Sequence, residues 1–221
     1  MLWSVVTCHV PPEELTPPTS SAIIQDIKAL QDAGQATIAY FYFDSRHTYK
    51  RSLRDALASL LTQLSAYSDN YCDILSHVHQ AHNNGADKPS VETMITCLEE
   101  MLALPDQGPV YIILDALDEC PNTSGRPSAR KEVLGCLRDL VDLQLPNLHI
   151  CVTSRPEIGI QITLEGLASY AISIHDQDGQ KKDIEDYVRS SVYSGSDGLM
   201  RWREEDKEWV IDTLCEKADG M

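Results

Sequence analysis

Apolar positions along the chain switch repeatedly between a helical and an extended period, and this alternation sets the expected architecture. Leu53, Leu57, Leu60, Leu61 and Leu64 recur at the spacing of one helix face, so Ser52 to Tyr67 is predicted as an amphipathic helix. Ser20 or Ser21 caps an earlier helix with Ile23, Ile24, Ile27 and Leu30 on its apolar side, stopped by Gly34. Further helices are predicted over Asn70–His82, over Ser90–Leu104 with Met94, Leu98 and Met101, and over Ala129–Leu143, Lys181–Val192 and Glu204–Lys217. Between them lie β-branched or continuous apolar runs at Thr37–Phe43, Val110–Leu114, Leu148–Thr153 and Ser169–Ile174, with Leu2–Val10 as a further strand candidate. Pro11, Pro12, Pro17 and Pro18 make the stretch after Val10 an extended connector. Strands alternating with helices predict an α/β fold with a parallel sheet and helices on both faces.

Composition narrows the function classes. The 221 residues carry 34 acidic and 18 basic side chains, a net charge of −16, which repels phosphate backbones and anionic lipid surfaces; no basic patch offsets it. Nucleic acid and membranes are therefore poor partners. Apolar residues reach 43 % at a mean hydropathy of −0.25, which fits a globular chain without the roughly 20-residue apolar run that a bilayer demands. Seven scattered cysteines without a C-x-x-C spacing point to reduced thiols, a cytoplasmic setting and small core residues. No targeting segment is read at Met1–Val10, which lacks a basic start.

The chemistry concentrates in Tyr111–Cys120, where an apolar strand delivers Asp115, Asp118 and Glu119 at its carboxyl end, the edge at which ligands sit in open α/β sheets. Asp115 can offer a hard oxygen to Mg²⁺, and Asp118 and Glu119 can polarise a water. The same pattern also describes a plain acidic turn after a buried strand, and the two readings weigh about equally. Arg155, at the end of the next buried strand, can answer phosphate charge with Thr153 or Ser154 as hydroxyl donors, or can pair with Glu157 or Asp118 in an ordinary Arg-Pro turn.

The Leu114–Cys120 segment resembles the extended Walker B segment of NACHT-type NTPases, the signal-transduction ATPase class. The order of motifs reinforces the likeness. Ile38–Asp44 resembles that family's second strand and Ser52–Leu64 its following helix. Val152–Glu157 resembles its strand-end sensor, and Lys181–Val188 the approach to its helical subdomain. The nearest description is the nephrocystin-like NACHT domain of fungal proteins. The resemblance implies a three-layer P-loop NTPase-like fold: an atypical segment over 1–19 in place of strand 1 and Walker A, an α/β core over 20–176, and the truncated start of a helical subdomain over 177–221. It implies a cytoplasmic signalling role, with self or other signalling domains as partners and Mg-ATP as the family's cofactor. In that frame Asp115 takes the Mg²⁺ position, Asp118 and Glu119 the water-polarising pair, and Thr153, Ser154 and Arg155 the γ-phosphate sensor.

One departure from the family decides the expected mechanism. No G-x-x-x-x-G-K-[ST] occurs; before the Ser21 helix stands Pro11–Ser20, without Gly or Lys and with two carboxylates. Losing charge-assisted contacts of roughly 1.5–3 kcal/mol each lowers ATP affinity by orders of magnitude. The expected protein is thus a regulatory or scaffold domain with weak or no ATP binding; the alternative is a competent NTPase switch whose P-loop lies in a longer natural chain. Leu2–Val10 is expected to be able to take the slot of the central strand. His77, His79 and His82 with Cys72 do not converge on one helix face and read as a solvated surface rather than a zinc site. Trp202, Trp209, Val210 and Leu214 read as a packing stripe, with a partner groove as the minority alternative.

Overall fold

A computed structural model describes residues 2–6, 20–122, 127–155, 157–172, 178–194 and 202–218. The chain divides into two compact units, the first ending at Ile172 and the second covering the described residues from Asp178.

The first unit is a five-stranded sheet, β1 (Leu2–Val6), β2 (Thr37–Tyr42), β3 (Val110–Asp115), β4 (Leu148–Thr153) and β5 (Tyr170–Ile172), in the order β2-β3-β4-β1-β5. β2, β3 and β4 pair in parallel. Its helices are α1 (Ser20–Asp32), α2 (Leu53–Ser65), α3 (Asp69–Ala81), α4 (Val91–Leu102), α5 (Ala129–Asp142) and α6 (Ile158–Glu165). The α/β class and the predicted helices and strands of this unit are present, with ends differing by a few residues.

The apolar run of β3 is buried on both faces. Ala39, Phe41, Ile112, Leu114, Ile150 and Val152 meet the leucines of α2 and the apolar sides of α4 and α5 in the larger core. Ile38 and Ile113 on the opposite face meet Ile24 and Ile27 of α1 in a smaller one. Burying each such side chain favours folding by about 1.5–3 kcal/mol. Helix starts follow the local chemistry: Ser52 accepts from the Asp55 N–H while Asp55 reaches back to the Ser52 N–H (3.1 Å), and Ser90 and Ser128 cap α4 and α5.

Two features of this unit depart from the sequence expectations. β1 occupies the slot between β4 and β5 but runs antiparallel to both, with Leu2 opposite Thr153 and Val6 opposite His149. The sheet is therefore not wholly parallel. A strand's composition records that it pairs, not which way it points, because antiparallel pairing is at least as stable per residue. Residues 7–10 of the predicted strand and the proline-rich Pro11–Thr19 lie outside the described residues, as do residues 173–174 of the fifth. The second departure is α6, a helix over a stretch to which the sequence reading assigned no element. Ile158-Gly159-Ile160-Gln161-Ile162 alternates with an extended period and contains a glycine, so neither helical pattern nor propensity announces it. Burial of Ile160 and Leu164, one turn apart, holds it, while Ile158 and Ile162 are exposed.

The second unit is a pair of helices, α7 (Asp178–Ser194) and α8 (Glu204–Ala218). Arg189 forks onto both carboxylate oxygens of Glu208 (2.7 and 3.2 Å), and the Tyr193 hydroxyl reaches Glu204 (2.8 Å) and Glu208 (2.9 Å). Lys207 is buried over the Tyr193 ring and pairs with Glu204. The packing reading of the tryptophan stripe is corrected here. Lys207 and Ile211 form the buried face of α8, whereas Trp202, Trp209 and Leu214 are exposed and Val210 is half-buried.

Candidate functional site at the carboxyl edge of the sheet

The parallel strands β2, β3 and β4 end together, and their ends bring Asp44, Asp115, Thr153 and the residues after them into one place. The Phe43 N–H donates to the Asp115 carbonyl (3.0 Å), fixing the exit of β2 beside that of β3. On the other side, the Thr153 hydroxyl donates to the Asp115 carboxylate and accepts from the Ala116 N–H (2.9 Å). Ala116 has φ 55°, in the left-handed region that a residue with a Cβ adopts at a cost of roughly 1–2 kcal/mol. This left-handed step ends β3 and starts a single 3-10 turn over Leu117–Glu119, pinned by the fully buried Leu117.

That turn sends its two acids in different directions. Asp118 accepts from the Arg155 N–H (2.9 Å) and pairs with its guanidinium (3.5 Å); the Asp118 side chain is 9 % exposed and that of Arg155 81 %. Glu119 accepts from both the hydroxyl and the N–H of Ser45, in the loop after β2. Of the two acids the sequence reading named as partners for Arg155, the structure places Asp118 against it. Ser154 is buried, with its hydroxyl directed to the Arg155 carbonyl (2.8 Å). Thr153 with Asp115 and Arg155 with Asp118 form two bonded pairs at this edge, while Glu119 turns away to Ser45.

Electrostatics at this edge are largely settled by internal pairing. The guanidinium and N–H of Arg46, together with His47, hold the Asp44 carboxyl well below the usual carboxylate range. Burial and the Asp115 charge raise the Tyr42 hydroxyl, and the same two causes push the Cys151 thiol up to about 12.

Arg130 is the central residue that the sequence reading missed. From the first turn of α5 its guanidinium donates to the carbonyls of Cys120 (2.9 Å) and Asp118 (2.6 Å) and pairs with Glu157; the residue is 7 % exposed. It therefore binds the turn after β3 to the segment after β4. A signal existed: Arg130 stands three, four and seven residues before Val133, Leu134 and Leu137, a core-facing position where a basic residue needs buried partners. Ser45 carries no such mark. The histidines of α3 are separate from this edge: His82 Nδ1 bonds the Val78 carbonyl (2.7 Å) and the His79 ring lies against Gly85. Among the described residues no group of three or more His, Cys, Asp or Glu side chains is arranged to hold a metal ion.

The whole cluster lies within one stretch of recognisable ancestry. The family model described as Nephrocystin 3, N-terminal, matches residues 19–155, more than half of the chain. The chain belongs to the nephrocystin 3 N-terminal family. No curated protein matches it. The family match runs from the start of α1 to Arg155 and so takes in β2, β3, β4 and the acids at their ends.

Among the described residues no helix is long and apolar enough to cross a membrane. The described cysteines are all free, with Cys97, Cys120 and Cys136 in the core, Cys151 and Cys215 half-buried and Cys72 exposed. Cys8 lies outside the described residues.

Proposed function

We propose that this nephrocystin 3 N-terminal family domain is a NACHT-like signalling module on a P-loop NTPase fold that keeps the acidic side of a nucleotide pocket and lacks its phosphate-gripping side, so that it serves as a regulatory or scaffold element rather than as an NTPase. The direction of β1 carries this reading. In a P-loop the glycine-rich loop leaves the central strand at the carboxyl edge of the sheet, so that its N–H groups face the acids. Here the strand in that slot ends at Val6, level with His149 and four residues back from Thr153. That is about 13 Å along the strand from the acid edge.

The donor set points the same way when tested against Mg-ATP. Asp115 is a suitable hard-oxygen ligand, and Mg²⁺ ordinarily takes one or two carboxylates together with phosphate oxygens. The triphosphate finds no matching grip among the described residues, since Arg155 is engaged by Asp118 and Arg46 by Asp44. The described residues therefore do not fit the nucleotide. Asp115 reads as a vestigial metal position. Asp118 and Glu119 read as vestigial water-polarising acids, and Thr153, Ser154 and Arg155 as a sensor whose Arg155 now braces the turn.

Thermal unfolding with and without millimolar Mg-ATP tests the proposal, because a ligand that binds the native state raises Tm by linkage. An unchanged Tm is expected. A rise that disappears in Asp115→Ala would overturn the proposal in favour of a competent nucleotide switch.

A further inference from the structure

Among the described residues β2 is the last strand on its side of the sheet, and it is six residues long with no charged side chain. Such an edge is ordinarily a template for pairing with another chain. The parallel register settles which peptide groups face outward. Thr37 N–H to Pro109 (2.9 Å) and Phe43 N–H to Asp115 (3.0 Å) show the odd-numbered residues turned toward β3. Ile38, Tyr40 and Tyr42 therefore turn their peptide groups away from the sheet.

Two glutamines meet those outward groups. Gln63 of α2 accepts from the Tyr40 N–H (3.1 Å) and donates to the Tyr40 carbonyl (2.8 Å), the pair of bonds that a neighbouring strand would make. Gln31 of α1 accepts from the Ile38 N–H (2.9 Å). Gln63 is itself held by Ser59, through its hydroxyl (2.9 Å) and its carbonyl (3.3 Å), so its amide is fixed in the bridging pose. Both glutamines come from the helices flanking β2, and nothing in helix formation or core packing calls for an amide at either position.

We propose that Gln63, seconded by Gln31, is an edge guard: its amide stands in for a sixth strand and prevents a second copy of this chain from adding to the sheet through β2. The occupant excluded is another β2, because the strand is uncharged and rich in aromatic and β-branched residues, the composition that pairs with itself most readily.

The test compares the unaltered chain with Gln63→Met, which keeps the length and apolar volume of the side chain and removes both bonds. Native-state amide exchange on the unaltered protein should show the Tyr40 N–H protected to the level of β3 amides. Sedimentation velocity over a range of concentrations should show Gln63→Met shifted toward dimers and larger species relative to the unaltered chain, with a retained far-UV spectrum. The same shift should be lost when Tyr40 is also replaced by proline, which cannot donate to an added strand. Identical sedimentation of the folded Gln63→Met and unaltered chains would overturn the proposal. Rapid exchange of the Tyr40 amide in the unaltered protein would do so without any variant, and so covers the case in which Gln63→Met fails to fold.

Discussion

Replacing Arg130 by methionine is the sharpest probe of how the acid edge is held together. The substitution keeps most of the aliphatic stem and removes the guanidinium that reaches Cys120, Asp118 and Glu157. Two carbonyls then lose their donor in a place water reaches poorly, at roughly 1–3 kcal/mol each. Two effects offset part of that: the variant no longer desolvates a charge, and the freed Glu157, 47 % exposed at its side chain, returns to water. The net expectation is a loss of about 2–4 kcal/mol from the first unit, a large part of a typical domain's stability. Urea unfolding followed by amide exchange of β3 and β4 reads this unit by itself. The same experiment on Arg155→Met is the internal control. Arg155 is equally charged, but its side chain is 81 % exposed, so its loss should cost no more than about 1 kcal/mol. Equal losses for the two variants, or an Arg130→Met variant as stable as the parent, would show that the guanidinium is not what binds the turn after β3 to the segment after β4.

The other predictions concern single features of the same unit. Ala116→Gly should leave stability unchanged or raise it by up to about 1 kcal/mol in thermal unfolding, because relief of the left-handed step outweighs glycine's extra freedom in the unfolded chain. His149 is buried against the Tyr111 ring (4.6 Å between centroids), and burial lowers its pKa. Its neutral form favours folding above the ordinary histidine pKa, and that contribution is lost as pH falls below it. His149→Phe should flatten the stability profile on the acid side of the ordinary histidine pKa. Among the described cysteines, exposed Cys72 should react first with a thiol reagent at mildly alkaline pH. Cys120, raised by burial to about 11, and Cys136, raised to about 12, should react only on unfolding, as mass mapping of the labelled peptides would show.

Which parts of this fold could be read from residue order depends on what each element needs. The leucine stripe of α2 and the apolar run of β3 announce themselves because burial alone dictates them, on one face for the helix and on two for the strand. α6 stayed hidden because only Ile160 and Leu164 enter the core, and two positions cannot define a period against a background of β-branched residues. Trp202, just before α8, and Trp209 within it misled in the opposite sense. Large aromatic residues ordinarily signal packing, but here the buried contact is made by Lys207 and Ile211, and polar pairing with α7 holds the helices together. At the acid edge the strand ends made Asp115, Asp118 and Arg155 visible. Arg130 left only a basic residue at a core-facing position of α5, with nothing local to name the carbonyls it would meet, and Ser45 acts from a loop that leaves no periodic trace.

The direction of β1 limits what sheet order alone can say about chemistry. Strand order is set by which strands lie side by side, and Leu2–Val6 fills the slot between β4 and β5 while running antiparallel to both. Nucleotide chemistry, in contrast, depends on the edge to which that strand delivers its following loop, a choice to which core burial is nearly indifferent. On the proposed reading, this domain keeps the acids of β3 and the Arg155 segment while the strand beside β4 ends at the opposite edge. Acids and an arginine at the end of a buried sheet stay there at least cost by bonding to neighbouring groups. The ties of Thr153 to Asp115, Arg155 to Asp118 and Ser45 to Glu119 satisfy these charges and hold the strand ends together.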